Sequence, residues 1–219
     1  MTSQRIIVVE DDTETRERVV TVLDAAGFEI VSAHADGRDA IGALSGCGPL
    51  DAALVDLGLP GIHGLEVLRE LRALRPGVAS LVLTVFDDPE TVLAAVRAGA
   101  RGYLLKHVGG DALVTAVRDS ILGGAPMTPR IARIVLDAWR RESSAPTARR
   151  ALVGVDALTS REREVLRLLA SGCTYAEVAA ALGIGLGTVQ GYVKIVYGKL
   201  QVTTKAEAAA LAARIGLVQ

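Results

Sequence analysis

Five short runs of β-branched and aliphatic residues, each followed by apolar residues at helical spacing, set the tightest limit on what this chain can fold into. Arg5–Val9, Ile30–Ala33, Ala52–Val55, Ser80–Thr84 and Gly102–Leu105 read as strands, because they are short and bounded by acids or turn residues. Thr13–Ala26, Arg38–Leu44, Leu65–Leu74, Pro89–Ala98 and Asp111–Leu122 read as helices, the first stopped by Gly27. Parallel neighbours need a crossover connection, so strands that alternate with helices predict an α/β fold with a doubly wound, five-stranded parallel sheet. Ligands of such sheets bind beyond the carboxyl ends of the strands.

This pattern ends near residue 125, and the division 1–125, 126–157 and 158–219 follows. Pro126-Met127-Thr128-Pro129 leads into a helical segment through about Arg141 that could join either side, and Ser143–Arg150 has linker composition. From Leu158 the pattern is all helical. Half of the 219 residues are hydrophobic and seven are Pro, which excludes a disordered chain. No uninterrupted apolar run reaches the length of about 18 residues that a membrane span needs, and MTSQRIIVVEDD is neither a signal nor a transit peptide. Cys47 and Cys173 lie far apart with no CxxC partner, so a reduced, cytoplasmic protein is expected. The net charge of −1 hides an asymmetry: residues 1–125 hold 11 basic against 18 acidic side chains, whereas 126–157 hold 6 against 3 and 158–219 hold 7 against 4. Two parts with different partners are implied.

The acids are not scattered. Glu10 and Asp11 follow the first strand and Asp56 follows the third, and in a doubly wound sheet these strands are neighbours at the switch point. Converging carboxylates repel unless a cation neutralises them, and an all-oxygen set suits Mg²⁺ better than zinc. Thr84 ends the fourth strand with a hydroxyl and Lys106 ends the fifth with a fixed cation. One acid at a strand end merely caps a helix or faces water. Five such residues in order make a site for a phosphoryl group on Asp56.

The segments IIVVEDD, ALVDLGLPGIHG, LVLTVFDD and GYLLKH resemble the receiver domain of bacterial two-component response regulators, over residues 5–123. The resemblance implies a flavodoxin-like receiver in which Asp56 is the phosphoacceptor from a sensor histidine kinase. It implies that Glu10, Asp11, Asp56 and the carbonyl of Gly58 hold Mg²⁺, with Asp12 beside them but no principal ligand. Thr84 and Lys106 would contact the phosphoryl group, Tyr103 would be the aromatic switch moving into space that Thr84 vacates, and Pro60 and Gly64 match the loop after the acceptor. Phe86 is expected to slow water attack on the phosphoryl group.

In the last part, Thr159 or Ser160 can cap a helix with Glu162 or Glu164 in its first turn, and Gly172 ends it. Thr174 caps the next, and Gly183-Ile184-Gly185 turns into a further helix from about Gly187 to Leu200. That pattern is a helix-turn-helix or a plain helical bundle. LTSREREVL and the later KL…V…KAEA resemble the LuxR/NarL-type DNA-binding domain, over residues 158–212. The resemblance implies double-stranded DNA as partner and a homodimer, joined through the final helix (Lys205–Ile215), when the chain is phosphorylated or DNA-bound. Thr188, Gln190, Gly191 and Lys194 would lie on the recognition helix, with Lys199, Lys205 and Arg161 on phosphates. This helix departs from the usual TVKxHV: Gln190 stands for Lys and would read an adenine edge, Tyr192 stands for His, and Gly191 weakens the helix by about 1 kcal/mol relative to Ala.

The expected function is therefore a phosphorylation-regulated, DNA-binding transcriptional regulator, not an enzyme beyond its own phosphotransfer and dephosphorylation. An aspartate-nucleophile phosphohydrolase would need a general acid two residues after the nucleophile, where Gly58 stands. A receiver whose helical domain binds protein rather than DNA is the alternative, motivated by Gln190 and Gly191. His34, His63 and His107 are not spaced as a metal site, and Trp139 reads as a packing anchor.

Overall fold

The computed structural model describes residues 3–142, 158–214 and 217. The linker-like Ser143–Arg150 and the end of the last helix at Ile215 lie outside the described residues. The chain divides into two compact units, residues 1–144 and 145–219.

In the first unit β1 (Arg5–Val9), β2 (Glu29–His34), β3 (Ala52–Val55), β4 (Ala79–Thr84) and β5 (Gly102–Leu105) form one parallel sheet in the order β2-β1-β3-β4-β5. The order reverses at β1 and β3, which pair from Ile6↔Ala52 to Val9↔Val55 and so bring their carboxyl ends side by side. The central strands β3 and β4 are buried at every residue, and apart from Ser80 and Thr84 their residues are apolar. β2 runs one residue further at each end than its apolar run, because an edge strand is half exposed and can carry Glu29 and His34.

Helices α1 (Thr13–Ala25), α2 (Gly37–Leu44), α3 (Gly64–Leu74), α4 (Pro89–Ala98) and α5 (Gly110–Ile121) follow the strands. Ile6, Val8, Leu54, Leu81 and Leu83 pack with Val19 and Leu23 of α1 and Leu113 and Val117 of α5 in one core cluster. α1, α2 and α4 start at Asp12, Asp36 and Asp88, whose carboxylates accept backbone N–H groups of the first turn. α6 (Pro129–Glu142), which sequence left open between the two sides, lies against α4. Its Ile131 is fully buried, and Tyr103 N donates to the Pro126 carbonyl beside it. Trp139 corrects the expectation of a packing anchor: it is 67% exposed, because Ile131 and the half-buried Val135 and Ala138 already fill the inward side.

The second unit holds α7 (Ser160–Ala170), α8 (Tyr175–Leu182), α9 (Leu186–Leu200) and α10 (Lys205–Arg214). Thr159 with Glu162 and Thr174 with Glu177 close two capping boxes, the reciprocal pairing that fixes where α7 and α8 begin. Gly183 takes the left-handed conformation (φ 64°) that ends α8, and α9 leaves at 107° to it, the crossing of a helix-turn-helix. Leu158, Leu166, Val196, Ala208 and Ala212 form a core cluster. No single helix among the described residues is long and apolar enough to cross a membrane.

Candidate functional site

Strand register delivers the acids. β1 ends at Val9 and β3 at Val55, so Glu10 and Asp56 emerge together, and the Asp56 amide donates to the Val9 carbonyl at 2.8 Å. Glu10 is 2% and Asp56 4% exposed, and Asp11 is half-buried. One carboxylate oxygen from each of Glu10, Asp11 and Asp56 lies within 4.8 Å of the others. Lys106, one residue past β5, places Nζ 2.7 Å from Glu10 Oε1 and 2.9 Å from Asp56 Oδ2. Glu10 Oε2, Asp56 Oδ1 and Thr84 Oγ1 are buried with no hydrogen-bond partner. Buried polar atoms are seldom left so. The lysine answers one oxygen of each carboxylate, and the second oxygen of each keeps its acceptor capacity.

The electrostatics agree. Burial, and then the neighbouring Asp56, push the Glu10 carboxyl up to about 7 against the pull of Lys106. Burial works against the Lys106 ammonium, yet the Asp56 and Glu10 carboxylates outweigh it and hold its pKa above the ordinary value. An all-oxygen set of acids with orphaned oxygens fits a hard divalent cation.

The neighbouring residues shape the pocket. A Cβ on Gly58 would stand 3.2 Å from Asp56 Oδ2 and 3.7 Å from the buried Phe86 ring, so the loop passes close to the Asp56 carboxylate. A Cβ on Gly64 would fall 2.0 Å from the Asp56 carbonyl oxygen, so only glycine lets α3 start against the Asp56 backbone. Asp12 caps α1 by accepting from Thr15 N at 2.8 Å, and its own N–H donates to Glu10 Oε1. The Tyr103 ring is already inside the core, its hydroxyl donating to the Phe86 carbonyl at 3.0 Å. The space expected to open for it is filled in this state, and burial holds its pKa well above the ordinary phenol value.

Two residues here were missed from sequence. Arg16 and Arg18 of α1 donate to the carbonyls of Glu10 and Asp11 and of Lys106. In sequence they look like any charged helix face, so no signal marked them. His63 is a third: its Nδ1 accepts from Leu65 N and caps α3.

In the second unit, Leu186, Gly187, Gln190 and Lys194 lie exposed along one side of α9, and Thr188 and Gly191 are partly covered. Tyr192 turns inward and is 2% exposed, so it packs the core rather than the outer face. The three cations expected on phosphates make internal bonds. Lys199 Nζ meets both Glu162 oxygens at 2.8 and 2.7 Å, and Lys205 Nζ donates to the Cys173 carbonyl at 2.8 Å. Arg161 joins Glu164 at 2.7 Å and the carbonyl of Leu182 at the end of α8.

Residues 6–118 match the model of the response regulator receiver domain, and residues 156–212 that of bacterial regulatory proteins of the luxR family. The transcriptional regulatory protein UhpA of Salmonella typhimurium is 36% identical over 182 residues, covering 83% of each chain. The transcriptional regulatory protein DegU of Brevibacillus brevis is 30% identical over 225 residues, covering 98% of this chain and 95% of its own. Among solved structures, the response regulator ChrA of a heme-sensing two-component system aligns over 100% of both chains at 30% identity, with a TM-score of 0.51.

Proposed function

This chain belongs to the response regulators that join a receiver domain to a luxR-family regulatory domain, and from that premise we propose that Asp56 is the switch through which a sensor histidine kinase controls its binding to DNA. It is a two-component transcription regulator with a LuxR-type DNA-binding helix-turn-helix. The observation that carries the finer reading is the pair of orphaned oxygens, Glu10 Oε2 and Asp56 Oδ1, beside a lysine that engages only their partners.

In phosphotransfer an Asp56 carboxylate oxygen bonds to the phosphorus of a phosphohistidine as the N–P bond breaks, and the imidazole, already protonated on its other ring nitrogen, takes the bonding pair and leaves as the neutral base. Glu10, Asp11 and Asp56 are the side chains that would hold Mg²⁺, together with the Gly58 carbonyl. When bound, the ion neutralises carboxylate and phosphoryl charge. The phosphoryl group adds about 1.5 to 2 negative charges. Lys106 faces it as a fixed cation, and the Thr84 hydroxyl gains the acceptor it lacks. Both contacts favour a closed pocket, with Tyr103 held inward behind Thr84, so the charge biases an existing two-state element. Gly58 offers no acid for turnover on another substrate, and the chain acts as a cytoplasmic phosphoacceptor rather than a hydrolase.

The output is a homodimer on DNA. Gln190 and Lys194 stand on the exposed side of α9 that would enter the major groove, with Gln190 suited to an adenine edge. Lys199, Lys205 and Arg161 brace the motif through internal bonds, and their remaining donors are the ones that would meet phosphates. An electrophoretic shift with genomic fragments tests this. Retardation that strengthens after acetyl phosphate treatment, and is lost in Asp56→Ala, is expected. Retardation of no fragment in either state would favour a protein-binding output domain instead.

A further inference from the structure

Both charges of the pocket stand on backbone that one helix grips. Arg16 Nη1 donates to the carbonyl oxygens of Glu10 at 2.7 Å and Asp11 at 3.1 Å, and Nη2 to the Thr13 hydroxyl at 3.3 Å. Two residues on, Arg18 Nη2 donates to the carbonyl of Lys106 at 3.3 Å, 88 positions away in the chain. Both side chains are half-buried, and both leave α1 for carbonyls of the loops that carry the acids and the cation.

Carboxylates packed as Glu10, Asp11 and Asp56 are repel one another, and Glu10 and Asp11 sit in a loop rather than a strand. A side chain in a loop points where its peptide planes send it. Asp12 secures one edge of this loop by its cap to Thr15 and its bond to Glu10 Oε1. The carbonyl side is secured by Arg16. Because those bonds go to carbonyls, they steer the Glu10 and Asp11 carboxylates without occupying the oxygens that a cation would use. Its positive charge also offsets part of the repulsion in the loop.

We propose that Arg16 is a positioning residue for the divalent-cation site, setting cation affinity through the peptide planes of Glu10 and Asp11, with Arg18 holding Lys106 in the matching place. The proposal rests on the reading above that these acids take Mg²⁺. Outer partners that orient ligands are typically worth about 10-fold or more in metal affinity.

Calorimetric titration of the full chain with Mg²⁺ tests it, in the parent, Arg16→Gln, Arg16→Lys and Arg69→Gln. Arg69 is exposed on α3, so its substitution removes the same charge without touching the loop. The Mg²⁺ Kd should rise about tenfold in Arg16→Gln and less in Arg16→Lys, and should stay within about twofold of the parent in Arg69→Gln. Labelling by acetyl phosphate at saturating Mg²⁺ should return close to the parent rate, a split that general damage to the fold would not give. A parent-like Kd in Arg16→Gln overturns the proposal, as does an equal shift in Arg69→Gln, which would make net charge the cause. Should Arg16→Gln fail to fold, Arg16→Lys decides: a raised Kd supports the proposal and a parent Kd overturns it. A parent chain that takes up no Mg²⁺ would overturn the metal reading and this one together, whereas binding that is blind to Arg16 overturns this one alone.

Discussion

Each unit of the molecule contains a buried carboxylate bonded to a lysine, and the two pairs do opposite things. In the helical unit Glu162, 2% exposed, has both oxygens engaged: Oε2 accepts from Thr159 N, and Lys199 Nζ reaches Oε1 and Oε2. In the α/β unit Lys106 engages Oε1 of Glu10 and Oδ2 of Asp56, and the second oxygen of each acid has no partner. A saturated pair is a brace between α7 and α9. An unsaturated one leaves acceptors for a ligand. The acids are equally buried in both, but Lys106 answers two carboxylates where Lys199 answers one, and what separates the pairs is the count of lone pairs left over.

Removing the lysine should break the two pairs differently. Lys199→Met strands Glu162 and should cost about 3 kcal/mol in the helical unit, read by urea unfolding with hydrogen exchange resolved by unit. Lys106→Met should cost a similar amount, about 3 kcal/mol, in the α/β unit, and millimolar Mg²⁺ should restore much of it. No such rescue is expected for Lys199→Met. Equal rescue of both, or of neither, would erase the distinction.

Glycines sharpen the contrast next. Gly64→Ala puts a Cβ into the Asp56 backbone and should cost about 2 kcal/mol as α3 moves off Asp56. Gly198 in α9 has open space around its Cβ position, and Gly198→Ala should stabilise the helical unit by up to about 1 kcal/mol in the same denaturation experiment.

A smaller effect is the pH response without metal. The Glu10 carboxyl is raised from 4.5 to about 7 by burial and Asp56. Between those values the native state therefore holds a proton that the unfolded state has released. Stability of the chelator-treated protein should fall as pH rises through this window, and Glu10→Gln should flatten the slope. A rise over the same interval would show that Lys106 governs the pocket instead. The least effect is expected on the outer face of α9: Lys194→Ala should weaken DNA binding by less than about tenfold and lower the salt slope by about one. Unchanged binding would remove α9 from the interface.

How far these features were legible in sequence follows from the same physics. β1, β3 and β4 stood out because burial on both faces makes their runs mostly apolar, β5 because its short run is buried although it lies at the other edge, and Glu10, Asp56, Thr84 and Lys106 stood out because strand ends put them in one place. β2 was shortened because an edge strand tolerates polar ends. The Lys199 bond to Glu162 was not legible, because a lysine near a recognition helix carries no mark of a partner 37 residues away. Arg16 and Arg18 were invisible for a related reason: their targets are carbonyls, which every residue has. Tyr103 stands inward, its hydroxyl on the Phe86 carbonyl, a position that packing sets and local sequence does not reveal.

The central claim is that Asp56 accepts the phosphoryl group in a pocket completed by a divalent cation. Treating the full chain with acetyl phosphate, with and without Mg²⁺, and mapping the modified residue by mass spectrometry tests it most directly. One phosphoryl group on Asp56, dependent on Mg²⁺ and absent from Asp56→Ala, is the result predicted. Modification of another residue, or labelling of Asp56 at the same rate in chelator, would contradict it.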